Sequence, residues 1–282
     1  MSYLSKIFNV IAGSGLLALG YSHYRTSREL ERLRKANSEK NRITSELRLA
    51  SQIQQSMMPL GHKVFDKVEI YGTLLPAREM GGDLFDYMIR DEKLYFCVGD
   101  VCGKGAPAAM LMAYAHSLLW TFSRDESNPA RIIHSLNEVA SKDNISCAFF
   151  TLFFGVLDLP TGHLQYCNAA HNPPYILSDK LTMLDCDPNQ PIGPVEDAEF
   201  TLQETTLTPG STIFLYTDGL TEANNTKREE FGPERAQKVL EDCMKQQLKP
   251  KEIVDNVIEA VHQFTMNAEQ SDDLTMLAIR FQ

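Results

Sequence analysis

Four acidic positions, spread over about 190 residues, each stand where a strand-like apolar run begins or ends. Asp83 follows Gly81-Gly82. Asp100 closes the run Leu94–Val98 and precedes Gly103-Lys104-Gly105. Asp218 follows Ile213-Phe214-Leu215-Tyr216 and precedes Gly219, and the pair Asp272-Asp273 leads into Leu274–Phe281. Paired strands share their edges, so a fold built from these runs can gather the carboxylates along one edge of a sheet pair. Gathered without a counter-charge, they would destabilise the fold by several kcal/mol. A chain of this pattern therefore calls for a cation among its acids, and oxygen ligands alone suit Mg²⁺ or Mn²⁺ rather than Zn²⁺. A single Asp-Gly is by itself only a turn signal; the weight lies in four such positions together.

The rest of the composition narrows the class. The 282 residues are 43% apolar, enough for one large core and an appendage. Net charge is −10, unevenly spread: residues 25–48 carry four more cations than anions and Lys6 adds one, which leaves −15 on residues 49–282. So acidic a body argues against nucleic acid as partner. The six cysteines are scattered, with no CxxC pair, as expected in a reducing compartment.

Three segments are expected. Residues 7–24 lack Lys, Arg, Asp and Glu, but their apolar heart, Val10–Leu19, is only about ten residues and includes Gly13-Ser14-Gly15. A spanning helix takes about 20. Arg25, Arg28, Arg32, Arg34 and Lys35 follow at once and would hold what comes after on the cytoplasmic side. Residues 1–24 are thus a candidate membrane anchor, with a frayed amphipathic tail as the alternative. Residues 25–60 are rich in helix formers, and a heptad threads Leu33, Ala36, Lys40, Ile43, Leu47, Ala50, Gln54 and Met57 up to Pro59. Its polar seam residues weaken pairing but can fix register. A coiled-coil-like linker that makes a homodimer is expected there. Residues 61–282 form the main domain.

Within that domain the pattern predicts strands over 68–75, 83–90 and 93–101, with Arg90-Asp91-Glu92-Lys93 as a hairpin, then helices over 105–123 and 129–141, the second capped by Asn128 with Pro129 in first position. Strands are predicted at 147–159, 163–168, 175–177, 181–184, 200–207 and 211–216, helices at 234–247 and 250–264, and a last strand at 274–281. Most strand links are too short for parallel crossovers, so the class is α+β with antiparallel sheets.

Two divalent ions about 3.5–4 Å apart let an activated water attack phosphorus in line, which would be phosphomonoester hydrolysis without a covalent intermediate. Nucleophile and nucleotide signatures are missing: there is no G-x-S-x-G elbow and no Walker A spacing.

Taken in order, Asp83-Leu-Phe-Asp86 after two glycines, Gly99-Asp-Val-x-Gly-Lys-Gly105, Asn168-Ala-Ala-His-Asn-Pro173, Leu215-Tyr-Thr-Asp-Gly-Leu-Thr-Glu-Ala223, Phe231-Gly-Pro-Glu-Arg235 and Asp272-Asp-Leu-Thr275 resemble the sporulation stage II protein E-type serine phosphatases of the metal-dependent protein phosphatase (PPM) superfamily. Ala50-x-x-Ile53-Gln54-x-x-Met57-x-Pro59 resembles the helix that leads into such domains. The resemblance implies a four-layer αββα sandwich, two antiparallel sheets flanked by helices, here preceded by a long N-terminal helix. It implies two Mn²⁺ or Mg²⁺ ions held by Asp83, Asp100, the Val101 carbonyl, Asp218 and Asp272, with Asp273 as the other choice in the last motif. A metal-activated water would be the nucleophile. The implied substrate is phosphoserine or phosphothreonine on a small partner of the anti-anti-sigma type, in partner switching; the competing expectation is an inactive phosphatase fold that only binds a phosphoprotein. Regulation is expected through the leading helix, acting on Asp100–Gly105. No general acid or phosphate contact is evident: Arg78, at the offset where eukaryotic-type relatives carry an arginine, and Lys104 are the candidates. Ala170 departs from the family, which usually has glycine there.

Overall fold

The computed structural model describes the backbone of residues 3–142, 144, 148–266 and 268–282, with side chains from residue 21 onward. The chain divides into two compact units, 1–49 and 50–282.

Helix α1 (Tyr3–Ser56) is expected to be about 80 Å long at 1.5 Å per residue. In the first unit its described side chains are almost all exposed, Leu30, Leu33 and Ile43 included, and Glu31–Lys35 and Arg42–Glu46 pair one turn apart. Such exposed pairs contribute only a few tenths of a kcal/mol each. Among the described residues no helix is long and apolar enough to cross a membrane. Up to residue 20, the side chains of the candidate anchor lie outside the described residues.

In the second unit the order is β1 (Gly61–Val64), β2 (Val68–Leu75), β3 (Leu84–Arg90), β4 (Lys93–Val101), α2 (Ala106–Phe122), α3 (Pro129–Ser141), β5 (Phe150–Asp158), β6 (His163–Ala169), β7 (Tyr175–Leu177), β8 (Leu181–Met183), β9 (Gln203–Thr206), β10 (Thr212–Tyr216), α4 (Gly232–Lys245), α5 (Pro250–Thr265) and β11 (Leu274–Phe281). One sheet runs β1-β2-β11-β10-β7-β8 and the other β3-β4-β5-β6-β9, every pairing antiparallel. Helices α2 and α3 cover the five-stranded sheet, and α4 and α5 the six-stranded one. This is the expected αββα sandwich.

Strand periodicity explains the layering. On β10, Ile213 and Leu215 join the core shared with the other sheet, while Phe214 and Tyr216 face the helices; on β11, Leu277 and Ile279 divide in the same way from Met276 and Ala278. Because both faces are buried, these strands read as continuous apolar runs. The hairpin between β3 and β4 closes through Asp91 and Glu92, both at positive φ, as a primed two-residue turn requires. Asn128 caps α3, its side chain accepting from the Arg131 N–H.

The differences from the sequence pattern have physical causes. Strand β1 leaves no signal in the sequence pattern, since it is an edge strand with only Val64 apolar. Strand β9 is shorter than 200–207: Phe200 and Leu202 pack against the core, but Thr201 donates its N–H to Asn189 instead of a ladder partner. Strand β5 begins at Phe150 rather than at 147, and Cys147, the first residue of the predicted strand, lies outside the described residues.

Ala170 sits exposed at φ 55°, where an L side chain is strained and glycine is not. Ala170→Gly is expected to raise stability by about 1 kcal/mol, measured by denaturant unfolding.

Candidate metal centre

Antiparallel register brings the acids together in two pairs. In β3–β4, Leu84 lies opposite Gly99, so Asp83, one residue before β3, faces Asp100 near the end of β4. In β10–β11, Tyr216 lies opposite Met276, and beyond the last paired residues the Thr217 N–H donates to the Thr275 carbonyl at 3.1 Å. Asp218 and Asp272 leave from that corner. Sheet packing then places the pairs side by side: Asp83 is influenced by Asp100, Asp100 by Asp218 and Asp272, and Asp218 by Asp272.

The electrostatic result is strain on the ionised forms. Burial, then Asp100, pushes the Asp83 carboxyl well above the usual carboxylate range. Burial, then Asp218, pushes Asp100 up to about 7, against a hydrogen bond with Asp83 that works the other way. Asp218 is raised by burial and by Asp272. Glu222, next to this corner, is raised by burial and by Asp218.

Each acid is positioned by its surroundings. Asp83 is 2% exposed and its Oδ2 accepts from the Thr217 hydroxyl at 2.7 Å. The Thr275 hydroxyl nearby on β11 is buried without a hydrogen-bond partner of sound geometry. Asp273 turns inward: its Oδ1 accepts from Ala77 N–H at 2.9 Å and its Oδ2 from Gly82 N–H at 2.8 Å. Both oxygens are thereby committed to the loop that delivers Asp83. The contact is close enough that a Cβ on Gly81 would meet the Asp273 carboxylate at 2.1 Å, and one on Gly219 would meet the Asp273 carbonyl at 1.9 Å. Asp272, by contrast, points outward and is partly exposed; its Oδ1 accepts from Asp273 N–H and its Oδ2 from the Lys104 ammonium at 2.7 Å.

His171 ties the two sheets together at this end. Its Nδ1 accepts from the Thr151 hydroxyl at 2.8 Å, and its Nε2 donates to the Tyr216 carbonyl at 3.1 Å. Thr151 is the register partner of Asp100, and Tyr216 stands two residues before Asp218. The ring is 4% exposed, and burial pushes it down to about 4, so it is neutral near pH 7. Gln54, from the last turn of α1, donates from Nε2 to the Gly81 carbonyl at 2.6 Å.

Of the residues expected from sequence, Asp83, Asp100, Asp218 and Asp272 meet at one end of the sandwich, and the Val101 carbonyl lies against Gly82, 2.8 Å from where a Cβ would stand. Arg78 is exposed on the loop clamped by Asp273 and has no hydrogen-bond or ion-pair partner among the described residues. Lys104 is engaged by Asp272 and by the Ser271 carbonyl. The sequence marks neither Thr217 nor Gln54 as a site residue, though both stand inside its motifs, directly before Asp218 and after Ile53. The donors fit a hard divalent cation: they are oxygens throughout, and the Cys102 thiol is turned to the Phe149 N–H. Among the described residues no three His, Cys, Asp or Glu side chains close into a ready-made cage.

Residues 90–282 match the family model described as Stage II sporulation protein E (SpoIIE). Protein IcfG of Synechocystis sp. is 31% identical over 263 residues, covering 83% of this chain and 41% of that protein. Phosphoserine phosphatase RsbU of Bacillus subtilis is 25% identical over 283 residues, 98% of this chain and 78% of its own length. This chain thus spans about two fifths of the length of the Synechocystis relative. Among solved structures, the SiaA-PP2C domain of Pseudomonas aeruginosa superposes with a TM-score of 0.74 at 23% identity, covering 86% of this chain and 98% of that one.

The neutral His171 has a measurable consequence. Its folded pKa lies below the ordinary 6.5, so the stability it confers is present above pH 6.5 and is lost as pH falls toward 4. At about 1.4 kcal/mol per pK unit, the stability advantage of the wild type over His171→Gln shrinks by about 3 kcal/mol between pH 7 and pH 4, measured by urea unfolding at each pH.

Proposed function

The chain belongs to the Stage II sporulation protein E (SpoIIE) family, and we propose that it is a metal-dependent protein serine/threonine phosphatase acting on phosphoserine or phosphothreonine of a small regulatory protein. The observation that carries this reading is the gathering of Asp83, Asp100, Asp218 and Asp272, each of the first three pushed above its ordinary pKa. Such a cluster is relieved by divalent cations more readily than by anything in the chain itself. The kinship with a phosphoserine phosphatase supports the same chemistry.

In this reading Asp83, Asp100, Asp218, Asp272 and the Val101 carbonyl hold two Mn²⁺ or Mg²⁺ ions. When bound, the ions supply an activated water for in-line attack on phosphorus. The chain's own residues set the geometry. Asp273 fixes the 77–82 loop, Thr217 orients Asp83, and His171 holds the ends of β5 and β10 at a set spacing. Arg78, on that fixed loop and free among the described residues, is the proposed phosphate contact. The phosphorylated partner is of the anti-anti-sigma type. Helix α1 is proposed to pair with its copy through Leu33 and Ile43, which stand exposed on it. A cytoplasmic setting is supported by the five described cysteines, all free.

An inactive, phosphoprotein-binding module is the reading to exclude. Phosphate release from a phosphoserine protein substrate is measured with and without Mn²⁺. Asp100→Asn and Asp218→Asn are each expected to lower the rate by at least about 100-fold, since even outer partners of metal ligands cost 10- to 100-fold. Asp100→Asn is also expected to raise the melting temperature of the metal-free protein, because it removes one of the repelling charges. Wild-type protein that binds Mn²⁺ but releases no phosphate would favour the binding module.

A further inference from the structure

Lys104 is held in a way that a simple surface lysine is not. Its ammonium lies 2.7 Å from Asp272 Oδ2 and 2.7 Å from the Ser271 carbonyl, 168 and 167 residues away. Because Asp272 Oδ1 already accepts from the Asp273 N–H, this contact occupies the remaining oxygen of that carboxylate. Lys104 also opposes the upward shift of Asp218, so its charge is felt by two of the four gathered acids. The backbone on either side is glycine. Gly103 and Gly105 stand at φ 97° and 74°, with no atom within 4 Å of where a Cβ would be. Outside these three residues the chain is tied down, with the Cys102 N–H bonded to the Phe149 carbonyl on one side and α2 beginning at Ala106 on the other.

We infer that Lys104 is a built-in counter-ion, a latch that occupies Asp272 in the metal-free protein and that a divalent cation must displace. The inference rests on the reading of Asp272 as a metal ligand. A divalent ion at Asp272 and an ammonium on the same oxygen exclude one another by charge and by space. Binding of the cation therefore releases Lys104 from Asp272, and so links metal occupancy to the glycine-flanked loop between Asp100 and α2. By reciprocity, whatever the latch adds to the stability of the metal-free protein is subtracted from metal affinity. The partly exposed pair makes the effect modest.

The test uses the full chain and Mn²⁺ alone. Wild type, Lys104→Met, Asp272→Asn and the double variant are compared by calorimetric Mn²⁺ titration and by melting with and without saturating Mn²⁺. Lys104→Met is expected to bind Mn²⁺ roughly two- to fivefold more tightly. It is expected to melt lower than wild type without metal and level with it when saturated. In the metal-free Asp272→Asn background, Lys104→Met should add no further loss. Equal or weaker Mn²⁺ binding by Lys104→Met overturns the latch, as does an equal melting penalty with and without Mn²⁺, or a full added penalty in the Asp272→Asn background. Failure of the wild type itself to bind Mn²⁺ would instead remove the metal reading on which the latch rests.

Discussion

Repulsion among Asp83, Asp100, Asp218 and Asp272 is the constraint to which the rest of this end of the molecule answers. Desolvation raises three of them, and each has another carboxylate as a neighbour. Carboxylates in water would simply move apart. Here they cannot, because strand register fixes where their backbones leave the sheets, and the cores on either side of those sheets fix the register.

Three neutralising devices act on the cluster at different strengths. Hydroxyl and amide donors come first: Thr217 on Asp83, and the Asp273 N–H on Asp272. They stabilise charge without cancelling it. Lys104 comes second, with a full charge on a glycine-flanked loop at the exposed rim. A divalent cation pair would come third, the only one able to satisfy all four acids together. His171 contributes nothing electrostatic, since burial keeps it neutral; its part is to brace the sheet carrying Asp100 against the one carrying Asp218.

Much of this was legible in the chain because the strands carry continuous apolar runs and the acids mark their ends. β2, β4, β7 and β11 fall where the pattern puts them, as does α3. What the pattern did not reveal is long-range and polar. Edge strand β1 has almost no apolar signal, and its place comes from pairing with β2. The contrast between Asp272 and Asp273 is invisible in a run of two identical residues; it appears only once β11 turns one carboxylate toward Ala77 and Gly82 and the other toward Lys104. The bond from Gln54 to Gly81 likewise links residues 27 apart, and in sequence Gln54 reads as a polar flaw in a heptad seam. Ala170 is the reverse case: the departure from the family's glycine was plain in the sequence, and the positive φ gives it a physical meaning.

The central claim is that the four gathered acids form a binuclear cation centre. Its most direct test is anomalous diffraction at the manganese edge from crystals grown with Mn²⁺. The account predicts two peaks about 3.5–4 Å apart, enclosed by Asp83, Asp100, Asp218 and Asp272, with the Lys104 ammonium withdrawn from Asp272. Crystals saturated with Mn²⁺ that show no peak among these carboxylates, or show the metal bound elsewhere, would contradict it.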